Sequence, residues 1–145
     1  MPLHSNRKIR CIETPAHAAA VVREALPEKQ KEERIYVLPL DANGKMLANP
    51  ILVSVGYEDG TTTVDPGAIF RAAFKAEAEE IIVAHNHPSG DPTPSKADIA
   101  TTKELKILAE RLGVRILDHI ILGNSNLSQH VCFSSIAETI GLSNP

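Results

Sequence analysis

Residues 84–98 read AHNHPSGDPTPSKAD. His85 and His87 are one residue apart, and Ser95 and Asp98 follow a loop rich in proline, serine and glycine. On an extended strand, residues two apart face the same side. His85 and His87 then project together, and Asn86 points away. Neutral imidazole nitrogen is a common ligand of Zn²⁺. One strand supplies two corners of a tetrahedron, so a third ligand has to come from another element. Asp98 stands eleven residues past His87, on the first turn of the helix that follows. The loop between them is long enough to fold that turn back over the strand end. Three protein ligands leave the fourth position to water, the pattern of catalytic rather than structural zinc.

A zinc-bound water needs a base to take its proton. Glu32 and Glu33 lie at the entrance to the first expected strand, and Glu58 and Asp59 lie in a later loop. Spacing does not choose among them, although Glu33 abuts a strand expected to neighbour residues 80–86. Ser95 puts a hydroxyl at a helix N-terminus, where backbone donors and the positive dipole end favour a developing oxyanion. Each part also has a plainer reading. His-x-His occurs on ordinary strand ends. Ser95-x-x-Asp98 is a capping box. Asp91, between Gly90 and Pro92, is turn chemistry. Asp118 and His119 either stand behind the metal ligands or form a polar pair against a loop, and His17 and His130 read as surface residues. The conjunction of His85, His87, Ser95 and Asp98 carries the metal reading.

The elements that must position these residues follow from pattern. Residues 1–12 are polar and basic and read as a flexible arm; residues 13–145 read as one domain. Thr14 caps a helix that opens at Pro15 and ends near Leu26. RIYVLPLD (34–41) is a strand, DANG turns the chain, and KMLANPILVSV (45–55) returns as a second strand. Pro39 and Pro50 mark edges or bulges in these runs. Asp65-Pro66 opens a helix whose Ile69, Phe70, Ala73 and Phe74 are core. EIIVAH (80–85) is a continuous apolar strand. A long helix runs from Ser95 to about Leu112, with Ile99, Leu105, Leu108 and Leu112 inward, and Gly113 ends it. VRILDHIIL (114–122) is a buried strand, residues near 127–133 make a short last strand, and Ser134 caps a terminal helix. This order predicts an α/β domain, a mixed sheet sandwiched by helices.

Composition narrows the function classes. The 145 residues carry a net charge of −3, with 43% hydrophobic and 23% charged residues. A mildly acidic chain has no broad attraction for nucleic acid or anionic membrane. The aromatics are only Tyr36, Tyr57, Phe70, Phe74 and Phe133, too few for a base-stacking platform. Cys11 and Cys132 form no CxxC pair and fit a reducing compartment. No signal-like or membrane-spanning run is present, so a cytoplasmic protein is expected.

The stretch HNHPSGDPTPSKAD resembles the His-x-His-Pro-x6-Ser-x2-Asp signature of the JAMM (MPN-plus, JAB) metalloproteases, matched at His85, His87, Pro88, Ser95 and Asp98. With RAAFKAEAEEIIVAHNHPSGDPTPSKADIATTKEL and LGVRILDHIILG, the chain is similar to the bacterial RadC family over roughly residues 30–133. The resemblance implies a JAB/cytidine-deaminase-like α/β sandwich. It implies zinc held by His85, His87 and Asp98, an oxyanion steadied by Ser95, and a catalytic glutamate before the first strand, at Glu33. Glu32, one residue away, is its rival. Typical RadC proteins carry a helix-hairpin-helix segment before this domain. Only about thirty residues precede the first strand here, so the DNA-binding half is expected to be absent.

Three function classes compete. The leading one is a zinc-dependent metallopeptidase or isopeptidase acting on a peptide or protein. The second is a RadC-like protein of DNA repair or mobile elements, acting on or near DNA; the charge and aromatic content argue against direct nucleic-acid binding. A contiguous HNH tripeptide is not the HNH nuclease fold, whose residues are scattered. The third is a non-catalytic JAB binding module, which has no need of an open zinc site. A deaminase would show His-x-Glu and Pro-Cys-x-x-Cys, and neither occurs. A strand edge near residues 51–55 offers either peptide binding by strand addition or homodimer formation.

Overall fold

A computed structural model of the protein describes residues 10–56, 64–123 and 132–141. Four helices and five strands follow in order: α1 (Pro15–Ala25), β1 (Glu33–Leu40), β2 (Ile51–Gly56), α2 (Pro66–Lys75), β3 (Glu80–Asn86), α3 (Lys96–Leu112), β4 (Arg115–Leu122), β5 (Phe133–Ser135) and α4 (Ile136–Ile140). One mixed sheet takes the order β2-β1-β3-β4-β5. All its neighbouring pairs are antiparallel except β3 and β4. That parallel pair needs a crossover, and α3 supplies it. The expected helix-flanked α/β sheet is the architecture found.

Strand alternation divides the core into two layers. Ile35, Val37, Ile81, Val83 and Ile116 face α2 and α3, against Ile69, Phe70, Leu105 and Ala109. Tyr36, Leu38, Leu40, Ile82, Ala84, Ile120 and Leu122 face the other way, with Ala18, Ala19 and Val22 of α1. Burying each such aliphatic side chain stabilises the fold by roughly 1.5–3 kcal/mol. The all-buried β3 shows why EIIVAH is apolar without alternation: a central strand is covered on both faces.

Local signals explain most boundaries. Thr14 accepts the His17 N–H and Asp65 accepts the Gly67 N–H, each before a proline at the helix start. Gly113 closes α3 at φ 78°, a left-handed turn that favours glycine. Pro39 lies inside β1, but beyond Val37↔Ile51, the last pair with β2. Its missing N–H therefore interrupts no β1–β2 pair.

The structure also departs from expectation. The second strand starts only at Ile51; Lys45 and Met46 make single bridges to Cys11 and Leu40, because the donorless Pro50 breaks the run. The end of the polar arm is held there too, with Ile12 N–H donating to Gly44 O at 2.8 Å and Met46 N–H to Arg10 O at 2.8 Å. Phe74 and Leu112 are about half exposed. Each stands in the last turn of its helix, and the buried stripe of α3 runs instead through Thr102, Leu105 and Ala109. The terminal helix is capped by Ser135, whose Oγ accepts the Glu138 N–H. Ser134 is in β5 and donates to Pro92 O. Among the described residues no helix is long and apolar enough to cross a membrane. Glu58, Asp59, His130 and the start of the expected last strand lie outside the described residues.

Candidate metal centre

The end of β3 carries both histidines. His85 is the penultimate residue of the strand, and His87 follows it directly. The backbone stays extended because the His87 N–H donates to Leu122 O at 2.8 Å, carrying the β3–β4 ladder one step past the strand. The loop then doubles back. Gly90, at φ 98°, donates to His87 O, and its carbonyl packs so near Gly123 that a Cβ there would lie 2.3 Å away. A glycine is therefore required at Gly123. Asp91 accepts from the Thr93 N–H and hydroxyl, the turn role expected of it.

The loop delivers α3 onto the strand end. Ser95 Oγ accepts the Asp98 N–H at 2.9 Å, and the Ser95 N–H donates to Asp98 Oδ2 at 2.9 Å. The capping box is thus present, and it aims the Asp98 carboxylate. His85 Nε2 and His87 Nε2 lie 3.1 Å apart. Asp98 Oδ1 is 3.4 Å from the first and Asp98 Oδ2 is 3.2 Å from the second. His85, His87 and Asp98 are the only group of three metal-capable side chains found among the described residues.

Glu33 joins this focus from β1. Ile35 pairs with His85 across the β1–β3 ladder, so Glu33, two residues earlier, shares that face. Its Oε1 is 3.7 Å from His85 Nε2, and its side chain is only 14% exposed. Glu32 points elsewhere: it is half exposed, with its carboxylate 3.9 Å from Arg34. Of the two candidates, the structure brings Glu33 to the histidines.

Donor chemistry tests whether the cluster suits a cation. His87 Nδ1 is 2.9 Å from Asp91 O. A carbonyl only accepts, so Nδ1 carries the proton and His87 Nε2 presents a lone pair. That nitrogen faces His85 Nε2 at 3.1 Å and the Asp98 carboxylate at 3.2 Å. Electron pairs this close are stable only around a cation, either shared protons or a metal ion. Zn–N and Zn–O bonds of about 2.0–2.1 Å place tetrahedral ligands about 3.3 Å apart, close to the 3.1–3.4 Å spacings here. The three residues fit zinc. Burial raises the Asp98 pKa, but positive charge shared with His85 and His87 and the Ser95 N–H outweigh this and hold it well below the usual carboxylate range.

Two residues at the site have roles that spacing alone did not give. Asn86, fully buried between the histidines, accepts the Arg34 N–H at 2.7 Å and donates to Glu32 O at 3.0 Å. It clips the backbone on either side of Glu33. A polar residue inside an apolar strand was the available signal. His119 stands behind His85, with its Nε2 2.7 Å from His85 Nδ1. Asp118, expected beside it, faces the other layer and meets neither the His119 ring nor the cluster: its partners are the His119 backbone N–H, Ser135 and Ala137. His17 is exposed, as expected of a surface residue.

Comparison with known proteins agrees with the geometry. The RadC-like JAB domain family matches residues 12–138. A UPF0758 protein of Carboxydothermus hydrogenoformans is 46% identical over 96 residues, covering 66% of this chain and 42% of the relative. Another, of Desulforamulus reducens, is 36% identical over 128 residues, covering 88% of this chain and 54% of the relative. One of Trichormus variabilis is 40% identical over 115 residues, 79% of this chain and 46% of the relative. The chain spans about half the length of the curated relatives it matches.

Proposed function

The chain belongs to the RadC-like JAB domain family, and from that premise we propose that it is a zinc-dependent hydrolase of amide bonds, a metallopeptidase or isopeptidase of the JAMM type. The observation that carries this reading is the convergence of two imidazole Nε2 atoms, 3.1 Å apart, on the carboxylates of Asp98 and Glu33.

His85, His87 and Asp98 would hold the zinc. When bound there, zinc supplies Lewis-acid polarisation of the scissile carbonyl and an acidified water nucleophile. Glu33 lies near the ligands but is the outlier at 3.7 Å, which suits a base rather than a fourth ligand. Its Oε1 takes the proton of the attacking water and returns it to the leaving amine. Ser95 accepts the Asp98 N–H, which leaves its own hydroxyl hydrogen to donate to the oxyanion as charge develops. The substrate in this reading is an extended peptide or an isopeptide-linked protein, met in a reducing, cytoplasmic setting. Edge strand β2, with exposed Leu52 and Val55, is where such a chain would add as a strand or where a homodimer would form.

The test is a pair of assays on the parent and Glu33→Gln: zinc content, and cleavage of quenched-fluorescence peptide and isopeptide substrates. Both proteins are expected to carry about one zinc. Cleavage should drop by about 10²–10⁴-fold in the variant. Equal turnover by both would remove Glu33 from the chemistry, and a parent that takes up no zinc would overturn the proposal.

A further inference from the structure

Behind His85 runs a buried line of polar groups that the chemistry above does not use. Thr102 Oγ1 lies 2.8 Å from Asp98 O and 2.7 Å from His119 Nδ1. His119 Nε2 lies 2.7 Å from His85 Nδ1. Thr102, His119 and His85 are each about 1–2% exposed. No water intervenes at such distances, so each contact needs one hydrogen and only one.

The hydrogens can be placed by elimination. Asp98 O is a carbonyl and only accepts, so the Thr102 hydroxyl donates to it. That hydroxyl has no second hydrogen. The next contact must take its hydrogen from His119 Nδ1. His119 is 2% exposed, and its two ring nitrogens meet only a hydroxyl and an imidazole, with no carboxylate to offset a buried charge. It therefore holds a single ring proton, and its Nε2 is an acceptor. The third hydrogen must come from His85 Nδ1, and His85 Nε2 is left to the metal site, 3.1 Å from His87 Nε2.

We infer that Thr102 and His119 are positioning residues that fix His85 as its Nδ1–H tautomer and so keep the His85 Nε2 lone pair on the metal site. The chain begins and ends on metal-binding residues: the carbonyl of Asp98 anchors the hydroxyl that orients the imidazole behind His85. Helix α3 thus supplies one ligand through the Asp98 carboxylate and orders a second through Thr102, one turn later. A histidine ligand usually donates its other N–H to a carboxylate, a carbonyl or water. Here a neutral imidazole takes that place, and it has the right polarity only while Thr102 accepts from its far side. The proton order stands on the contacts alone; its effect on zinc rests on the reading in the preceding subsection.

Two measurements test this separately. The first is long-range ¹⁵N–¹H NMR of the histidine rings in the metal-free, full-length protein. The expected spectrum shows His85 and His119 both protonated at Nδ1. A His85 ring protonated at Nε2 and bare at Nδ1 overturns the proposal and leaves the zinc site itself untouched. The second is zinc affinity by competition with a chromogenic chelator. Thr102→Val should weaken binding about 10-fold and His119→Phe about 10–100-fold. Thr102→Ser, which keeps the hydroxyl, should restore the parent value. His119→Gln, which keeps an acceptor towards His85 and a donor towards Thr102, should recover part of the loss. Affinities unchanged in folded Thr102→Val and His119→Phe, or equal losses in Thr102→Ser and Thr102→Val, would overturn it. A parent that binds no zinc while His85 still shows its Nδ1–H would refute the zinc reading and leave the proton order standing.

Discussion

Asp118 and His119 are adjacent on β4, both buried, and face opposite layers of the molecule. Asp118 is closed on itself. Its carboxylate accepts from the His119 N–H at 2.7 Å, the Ser135 hydroxyl at 2.6 Å and the Ala137 N–H at 2.9 Å. These bonds tie α4 to the sheet. His119 belongs to a line that ends differently, on lone pairs of His85, His87, Asp98 and Glu33 pointing at one another. Both are buried polar clusters of similar size. A cluster whose donors and acceptors balance is structure. A cluster with surplus acceptors is short of positive charge, which a cation would supply.

The widest test of that contrast removes ligands from the second cluster. His87→Ala and Asp98→Ala are each expected to abolish stoichiometric zinc binding, read as metal per chain after dialysis. The parent should gain thermal stability with added zinc, by about 2.7 kcal/mol at a free concentration one hundred times its dissociation constant. The two variants should gain none. Equal zinc-dependent gains in parent and variants would mean that the metal binds elsewhere.

Asn86 gives a sharper and smaller effect, because it acts on Glu33 through the backbone. Removing its side chain in Asn86→Ala strands the Arg34 N–H and Glu32 C=O, which should cost about 1–3 kcal/mol in urea unfolding. Zinc content should stay at the parent level while turnover falls, since His85, His87 and Asp98 keep their supports and Glu33 loses its clip. A loss of zinc in proportion to activity would show that Asn86 serves the ligands instead.

The same two regions show what could be read from residue order. The grouping of His85, His87 and Asp98 was legible because it rests on short-range rules: a period of two on β3, and a capping box that aims Asp98. Which of Asp118 and His119 faces the site was not. Strict alternation through β4 puts Ile116, Asp118, Ile120 and Leu122 on one face. In the fold the β3–β4 register slips between Ile81 and Ile82, so that Leu117 is an extra residue. Ile116 stays with α2 and α3, while Asp118, Ile120 and Leu122 move to the α1 side. This bulge turns His119 towards His85. No residue in RILDHIIL announces it, because the slip is settled by packing two strands that are about thirty residues apart. Choosing Glu33 over Glu32 had the same obstacle: it depends on Ile35 standing opposite His85, a pairing across fifty residues.

Asp118 offers the smallest effect and the cleanest contrast with the metal cluster. Burial raises its pKa above the ordinary side-chain value of 3.8, with Ser135, Ala137 and the His119 N–H opposing that shift. A raised folded pKa means that the folded state holds the proton more tightly than the unfolded chain. Its stabilising contribution is therefore full below 3.8 and is lost as pH rises through the folded value. Asp118→Asn removes this dependence. The amide oxygen can still accept both backbone N–H groups, and its nitrogen can donate to Ser135. The variant should lie within about 1 kcal/mol of the parent near neutral pH, gaining on it as pH rises from about 4. Asp118→Ala should lose about 1–3 kcal/mol by stranding its donors. Zinc affinity should be unchanged in both, which is what separates a closed cluster from an open one. Urea midpoints at several pH values, with chelator competition alongside, decide the matter: a zinc defect in Asp118→Asn would join the two clusters into one and undo the distinction.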